Sequence, residues 1–320
     1  MLEWRQAGLY CPRGDFYIDP WEPVERAVVT HAHPGHAQPG SRSYLTSTDG
    51  AALVREVCGG APIESVEYGR ALAMGGASVS LHPSGHMLGS AQVRIEDRGE
   101  VWVVAGDCQL APNPTCRPFE PLRCHTFVTG AVFGLPVFRW PEPDAVAAQI
   151  HNWWRANREA GKVSLLFAYP LGKAQRVLAM FGASAGPVHV HEEVERFNRI
   201  YRDQGVALPP AAEGKAGPGA LVIAPPSLLG TPWARSFGAA SDAMVSGWMR
   251  IRGTRRRRSL DRGFVLSDHA GWPDLLRAID ESGAETVWVT EGFRAPLARW
   301  LEEHGRRAVV FDVRAEVPEE

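Results

Sequence analysis

The stretch at 30–36 reads THAHPGH and carries three histidines, His31, His33 and His36, at spacings of two and three residues. A short apolar run comes immediately before it, so the histidines sit on a loop that leaves a strand. Neutral imidazole is the commonest metal ligand among protein side chains, and three on one loop can hold zinc, manganese or iron. The stretch therefore predicts a metal centre, although Gly35 occupies a position where a carboxylate would be expected.

The composition describes an ordinary soluble globular protein. The 320 residues are 45% hydrophobic and 22% charged, which is enough to bury one large core or two modest ones. The N-terminus lacks a basic region followed by an apolar core, and no stretch approaches the roughly 20 apolar residues of a membrane span. We therefore expect a cytoplasmic protein without a membrane partner. Five scattered cysteines favour reduced thiols over a disulfide framework.

Arginine is concentrated in one segment, RIRGTRRRRSLDR at 250–262, which contains seven arginines and one acidic residue. Guanidinium groups bind phosphate in bidentate fashion and stay charged, so such a run favours a polyanion. A solvated, charged turn is the alternative. The run lies between two apolar segments, AMVSGWM and GFVLSDHA, and we expect these to be buried. The predicted nucleic-acid contacts here are Arg250, Arg252, Arg255, Arg256, Arg257 and Arg258.

Short apolar strands alternate with helical periodicity along the chain, which predicts a mixed α/β fold. The predicted strands are 26–30, 77–81, 92–95, 101–105, 126–129, 163–168, 188–190, 221–224, 243–246, 263–266, 286–290 and 308–312. The predicted helices are 144–159, 173–181, 192–204, 272–282 and 295–304. Joints rich in proline and glycine at 138–143 and 211–219 are the expected hinges.

Polar residues with metal-binding side chains stand just past several of the apolar runs. Besides the histidine triplet, these are Asp19 after FYI, His86 in SGHMLGS, Asp107 after VWVVAG and His269 after GFVLSD. Active sites have this distribution when a sandwich or α/β layer presents its loops on one edge. The remaining histidines are interpreted as structural: His82, His125, His151, His189, His191 and His304.

In this order, THAHPGH, SGHMLGS, AGD and LSDHA resemble the successive motifs of the metallo-β-lactamase fold. More narrowly, YCPRGDFYIDPW, FGLP, YPLGKAQRVL, SGWM, RGTRRRRSLDRGFVLSDHA and VWVTEGF resemble the bacterial ligase-associated DNA exonucleases. That group is similar to the β-CASP nucleases of RNA 3′-end processing and crosslink repair. The resemblance runs from about Gly8 to Leu301.

The resemblance implies an αββα sandwich with an inserted β-CASP-like α/β cap. The expected boundaries place the first part of the sandwich at 1–140, the cap at 141–241 and the last part of the sandwich at 242–320. Substrate would then lie in the cleft between sandwich and cap.

The resemblance also implies roles for individual residues. His31, His33 and His86 would form a first metal site, and Asp107 would bridge to a second. Asp19 and Asp268 would orient residues of the metal site without binding the metal ion themselves. His269 resembles a β-CASP histidine that acts as a general acid or contacts phosphate. Lys173, at the start of a helix, is expected to contact phosphate through its ammonium group and the local backbone amides, with an ordinary surface lysine as the alternative.

The activity implied is hydrolysis of phosphodiester bonds in DNA, with RNA as the other candidate, by one or two zinc or manganese ions. Phosphate contacts carry no sequence information, so many sequences would be degraded. The resemblance further implies a 5′ exonuclease of the DNA damage response that works with a DNA ligase and a helicase.

Three positions depart from the family pattern. Gly35 replaces the aspartate of the histidine motif, Gly130 replaces a glutamate and Glu291 replaces a histidine. A second metal would then depend on His36, Asp107 and Glu291, whose carboxylate suits a hard cation such as manganese. Catalytic roles are expected for Asp107, His269 and His36.

Three functions remain open at this point. The first is an active nuclease with one or two metal ions. The second is a catalytically weakened paralogue that binds DNA or a repair partner through the arginine run. The third is a small-molecule hydrolase such as a lactonase or thioesterase, and the sequence disfavours it because GKAQ, SGWM and the arginine run have no purpose in ester hydrolysis.

Overall fold

The computed structural model describes residues 1–181, 188–212, 216–251, 253–254 and 259–311. The chain forms two compact units. Unit 1 comprises residues 1–136 and continues from His269, and unit 2 comprises residues 137–268. The insertion expected from the sequence spanned 141–241.

Unit 1 contains a six-stranded sheet. Its strands are β1 (Glu3–Arg5), β2 (Gly8–Cys11), β3 (Phe16–Ile18), β4 (Arg26–Val28), β5 (Ser43–Ser47) and β6 (Ile63–Val66). They are arranged in chain order; β1 to β3 pair antiparallel and β3 to β6 pair parallel. Helix α1 (Ala51–Cys58) connects β5 to β6 and buries Leu53, Val54 and Cys58.

A seven-stranded sheet forms the second layer of unit 1. Its strands are β7 (Leu72–Met74), β8 (Ala77–Pro83), β9 (Ala91–Asp97), β10 (Glu100–Val104), β11 (Thr126–Ala131), β17 (Thr286–Gly292) and β18 (Arg307–Val310). The strand order is β18-β17-β11-β10-β9-β8-β7. Neighbours from β7 to β10 are antiparallel, whereas β10, β11, β17 and β18 run parallel. Helices α6 (Trp272–Ser282) and α7 (Arg294–Glu303) belong to the parallel half.

Strand β10 separates two apolar cores. Trp102 and Val104 pack in one core with residues of the six-stranded sheet such as Val28. Val103, which lies between them, packs in a second core with Leu275 of α6. Successive side chains of a strand point to opposite faces, so this alternation defines the layers. The two sheets pack face to face, and helices cover the other face of the seven-stranded sheet.

Unit 2 is built on a parallel five-stranded sheet. Its strands are β12 (Val163–Phe167), β13 (Val188–Val190), β14 (Leu221–Ala224), β15 (Ala240–Val245) and β16 (Arg262–Phe264), in the order β13-β14-β12-β15-β16. Its helices are α2 (Pro143–Glu159), α3 (Lys173–Phe181), α4 (Glu192–Asp203) and the short α5 (Pro232–Arg235), with 3-10 turns at Pro226–Leu228 and Gly247–Arg250. Every residue of the central strand β12 is buried, as expected for a parallel sheet covered on both faces.

The mixed α/β class predicted from the sequence agrees with this architecture, and each predicted strand and helix is present with ends shifted by a few residues. Both segments flanking the arginine run are largely buried, as expected. The sequence missed several short elements, among them β5. Its sequence, SYLTS, mixes polar and apolar residues without alternation, yet Tyr44 to Ser47 are all buried.

All five cysteines lie within the described residues, and none of them forms a disulfide there. Within the same ranges, no helix is both long enough and apolar enough to cross a membrane.

Candidate metal centre

Loops that follow three strands of unit 1 carry the cluster. His31 and His33 follow β4, His86 follows β8 and Asp107 follows β10. Because β8 and β10 both pair antiparallel with β9, they run in the same direction, and their carboxyl ends meet at one edge of the seven-stranded sheet. The fold thereby gathers residues from positions far apart in the sequence.

The side chains converge on one carboxylate oxygen. Asp107 Oδ2 lies 3.2 Å from His31 Nε2, 3.6 Å from His36 Nε2 and 3.7 Å from His86 Nε2. His33 Nδ1 lies 3.2 Å from His86 Nε2. Donor atoms of His31, His33, His86 and Asp107 all lie within 4.8 Å of one another. The structure thus brings together the four residues of the expected first metal site.

A second group consists of Asp19, His31 and His36, whose donor atoms also lie within 4.8 Å of one another. Asp19 Oδ2 lies 2.8 Å from His36 Nδ1, and Asp19 Oδ1 accepts a 2.7 Å hydrogen bond from the Thr30 amide. The residue has φ +44°, a backbone conformation that aspartate tolerates better than most residues. Asp19 therefore holds His36 and the start of the histidine loop together.

Burial and neighbouring histidines shift the pKa values of His31, His86 and Asp107. Burial lowers the pKa of His31 and of His86 well below the usual histidine value, so both imidazoles are neutral. Burial alone would raise the pKa of Asp107, but His269 and His36 outweigh this effect and hold that pKa well below its usual range. Neutral imidazoles beside an ionised carboxylate are the states that metal binding requires.

The hydrogen bonding of the cluster fits a cation. His31 Nε2 and Asp107 Oδ2 are buried, and neither has a hydrogen-bond partner among the described residues. Buried polar atoms are nearly always satisfied, and each one left unsatisfied costs about 1–3 kcal/mol. A metal ion coordinated by both atoms would satisfy them, and nitrogen and oxygen donors suit zinc and manganese. The residues present therefore can hold a metal ion.

His269 lies beside this group, with Nδ1 3.5 Å from Asp107 Oδ1 and its ring 4.8 Å from that of His86. Its backbone carbonyl accepts a 2.9 Å hydrogen bond from Gln109 Nε2, which fixes the chain where it returns to unit 1. A cavity of about 20 Å³ adjoins it, and Asp107, Thr129 and Gly130 are also in its lining. That volume accommodates one water molecule next to polar side chains.

The Glu291 side chain fills the space that a side chain at position 130 would need. A Cβ atom added at Gly130 would lie 2.3 Å from Glu291 Oε1, because the glutamate side chain covers the glycine. The β11–β17 pairing is irregular here, with a register shift between Thr129 and Ala131. Glu291, expected as a metal ligand, is not a member of either group of convergent donors among the described residues.

Lys173 and Asp268 of unit 2 are both buried and form an ion pair. Lys173, for which a phosphate contact was expected, is only 1% exposed, and its ammonium group lies 3.1 Å from Asp268 Oδ2. Its alternative interpretation as a surface lysine is wrong. Arg176 Nη1 lies 3.0 Å from Asp268 Oδ1 and donates to the Ser267 carbonyl at 2.7 Å. The structure thus places Asp268, expected behind the metal site, in an ion pair with two buried cations.

Of the predicted nucleic-acid contacts in the arginine run, the structure describes Arg250. It is exposed, and its Nε donates to the Val137 carbonyl at 3.1 Å. The other predicted arginines lie outside the described residues: Arg252, Arg255, Arg256, Arg257 and Arg258.

The chain is similar in sequence to one known protein and in fold to another. The chain is 31% identical over 307 residues to a probable DNA ligase of Opitutus terrae, a match that covers 94% of this chain and 30% of that protein. The chain thus spans less than a third of the length of this relative. A protein of unknown function from Enterococcus faecalis, known from its crystal structure, matches with a TM-score of 0.56 at 13% identity, covering 82% of this chain and 74% of that one. At that identity the likeness shows a shared fold. No protein-family model matches the chain.

Proposed function

We propose that this chain is a metal-dependent nuclease that hydrolyses phosphodiester bonds of DNA, with a zinc or manganese ion held by His31, His33, His86 and Asp107. The observation that carries the proposal is the convergence of these three imidazoles and one carboxylate within 4.8 Å. The two packed sheets of unit 1 and the α/β unit inserted into it support a metallo-β-lactamase sandwich with a β-CASP-like cap.

The DNA-related role is supported by the likeness to a probable DNA ligase. Because the match covers nearly all of this chain but 30% of that relative, the shared region is one part of a longer protein there. A nuclease that trims ends before they are sealed would suit such an association. We therefore propose a DNA ligase as a partner, a helicase of the same repair pathway as a second partner, and an exonuclease acting on damaged ends.

His31, His33, His86 and Asp107 would hold a cation that, when bound, would supply Lewis-acid chemistry by lowering the pKa of water towards neutral and stabilising negative charge on phosphate oxygens. The protein residues provide positioning and proton transfer. His269 lies beside the metal site, with Nδ1 3.5 Å from Asp107 Oδ1, and would act there as the general acid that protonates the leaving oxygen. Arg250 and the arginines after it would neutralise the phosphates of the nucleic acid without reading its sequence.

A weakened paralogue that binds DNA or a repair partner is the second candidate, and the geometry around positions 35 and 291 favours it. Gly35 offers no ligand, and the Glu291 carboxylate covers Gly130. A second ion would therefore have few anionic donors. This candidate predicts metal binding and DNA binding without turnover.

The proposal is tested by measuring the metal content of the purified protein and then its action on labelled nucleic acids. Single- and double-stranded DNA labelled at either the 5′ or the 3′ end, and matched RNA, are incubated with zinc and with manganese. We expect degradation of DNA that His31→Ala abolishes. The control His304→Ala changes an exposed histidine of the same unit and should leave degradation intact.

The outcomes separate the candidates. A protein that retains no metal after loading contradicts the metal centre. Bound metal without degradation of any substrate, together with DNA binding that His31→Ala leaves unchanged, supports the binding protein instead of the nuclease.

A further inference from the structure

We infer that Thr30 is a positioning residue that fixes the tautomer of His31 and thereby presents His31 Nε2 to the metal ion. The effect on metal binding rests on the proposed metal centre. The tautomer of His31 follows from hydrogen bonds within the protein. Thr30 is the residue before the first histidine of THAHPGH, and it is only 1% exposed.

The Thr30 hydroxyl stands between an acceptor and an imidazole. Its Oγ1 lies 2.5 Å from Asp19 Oδ2 and 3.0 Å from His31 Nδ1. A hydroxyl has one proton to donate and lone pairs that accept, whereas a carboxylate only accepts. The short contact with Asp19 therefore takes the hydroxyl proton. Towards His31, Oγ1 can then act only as an acceptor.

This assignment determines which nitrogen of His31 carries the proton. An imidazole that coordinates a metal ion does so through the lone pair of one ring nitrogen and carries its proton on the other. The N–H must be at Nδ1 in order to donate to Thr30 Oγ1. The lone pair is consequently at Nε2, the atom that lies 3.2 Å from Asp107 Oδ2.

The same assignment explains the unsatisfied pair in the site. With the lone pair on Nε2, His31 and Asp107 present two acceptors to each other at 3.2 Å, and neither has a hydrogen-bond partner among the described residues. Two facing lone pairs repel, and a cation coordinated by both reverses the sign of that interaction. The opposite tautomer would place a hydrogen bond there and block the coordination.

Thr30 is held rigidly enough for this role. Its amide donates to Asp19 Oδ1 at 2.7 Å, and its carbonyl accepts from the amide of Ala91, the first residue of β9, at 2.8 Å. Asp19 contacts His36 Nδ1 as well, so one carboxylate orients two imidazoles, one directly and one through Thr30. Partners of this kind typically contribute 10- to 100-fold to metal affinity.

The test measures zinc affinity by competition with a chromophoric chelator in the metal-stripped protein. We expect Thr30→Val, which removes the hydroxyl and keeps the shape, to weaken zinc binding by about 10- to 100-fold. Thr30→Ser restores the hydroxyl and should bind like the wild type. The matched control is Thr46→Val, which removes a buried hydroxyl that donates at 3.2 Å to the carbonyl of Val29, the residue after β4, and it should leave affinity unchanged.

A second measurement decides the question without metal. Ring-nitrogen NMR of the isotope-labelled, metal-free wild type, with His31 signals identified by their loss in His31→Gln, should show the proton on Nδ1. A proton on Nε2, or a folded Thr30→Val that binds zinc as tightly as the wild type, overturns the inference. A wild type that binds no zinc contradicts the proposed metal centre instead, and the NMR result still decides the role of Thr30.

Discussion

His31 Nε2 and Asp107 Oδ2 lie 3.2 Å apart in the interior of unit 1, and neither has a hydrogen-bond partner among the described residues. With the lone pair of His31 on Nε2, the two acceptors would repel each other in the metal-free protein, and a cation held by both would make the contact favourable. Under the proposed metal centre, removal of this carboxylate should therefore remove the stabilisation that a bound ion provides.

Asp107→Asn tests that expectation. An amide at this position can donate a hydrogen bond to His31 Nε2, but it loses the charge whose attraction to His269 and His36 lowers the Asp107 pKa, so the informative quantity is the stabilisation by zinc and not the melting temperature without metal. Zinc at 100 times its Kd should stabilise the wild type by about 2.7 kcal/mol and the variant very little. Thermal unfolding with and without zinc gives both values.

Asp97→Asn serves as the control for Asp107→Asn, because Asp97 belongs to the same unit and pairs with Arg13 at 3.1 Å, outside the cluster. It should keep the full zinc stabilisation. If Asp107→Asn is stabilised by zinc as strongly as the wild type, Asp107 is not a ligand.

Gly35→Asp tests whether the glycine limits the number of ions. Gly35 has φ +100°, a conformation that favours glycine, so a side chain there should cost about 1–3 kcal/mol in the metal-free protein. The added carboxylate would supply an anionic donor beside His36. We expect bound manganese, measured by elemental analysis, to rise from one to two ions per chain.

Gly35→Asn carries the same backbone strain without the negative charge and should bind one ion. The same ion count in Gly35→Asp and Gly35→Asn would show that a carboxylate at position 35 does not create a second site. Undiminished stability in both variants would instead show that the loop leaves the left-handed conformation at little cost.

The sequence predicted the cluster because its residues share a local signal. His31, His86 and Asp107 each stand just past an apolar run, and the ends of strands that run in the same direction meet at one edge of a sheet. Such a pattern is visible within a few residues of each ligand. It needs no knowledge of how the two sheets pack.

No comparable local signal in the sequence predicts the buried ion pairs of Asp268 in unit 2. Lys173 and Arg176 lie one helical turn apart on α3, and long cationic side chains at such positions usually face solvent. Their burial depends on Asp268, which is more than 90 residues further along the chain. The hydrogen bonds of Thr30 could not be predicted from the sequence either, because they depend on the exact placement of Asp19 and His31.

Because Lys173 and Arg176 share the Asp268 carboxylate, we expect its removal to affect stability more than the removal of one cation. Asp268→Asn removes the anion that two buried cations contact, whereas Lys173→Met leaves the Arg176 contact in place. Breaking a buried ion pair from one side typically costs about 3–5 kcal/mol. We expect Asp268→Asn to reach that range and Lys173→Met to cost less, as measured by urea unfolding.

The exposed pair Arg299–Glu303 provides the comparison, because solvent screens it and Arg299→Met should change stability much less than Lys173→Met. A larger loss for Lys173→Met than for Asp268→Asn would contradict the interpretation that one carboxylate serves both cations.

Glu195 in α4 predicts how the stability of unit 2 depends on pH. Burial would raise the pKa of this carboxyl, but the hydrogen bonds from Arg202 at 2.7 Å and Asn198 at 3.1 Å outweigh it, and the pKa is lowered. A group whose pKa is lower in the folded state stabilises the fold above its unfolded pKa of about 4.3. That stabilisation is lost as the pH falls through the lower, folded value.

Glu195→Gln should therefore reduce the free energy of unfolding at neutral pH by at most about 1 kcal/mol, because the ion pair is partly screened by solvent. The difference from the wild type should shrink steadily below about pH 4, where the wild-type carboxyl also becomes neutral. Glu192→Gln is the matched control, since Glu192 is an exposed acid in the same first turn and shares the interaction with the helix dipole. Urea unfolding of all three proteins between pH 3 and 7 isolates the contribution of Arg202 and Asn198; parallel curves for the two variants would show that these contacts do not stabilise the fold.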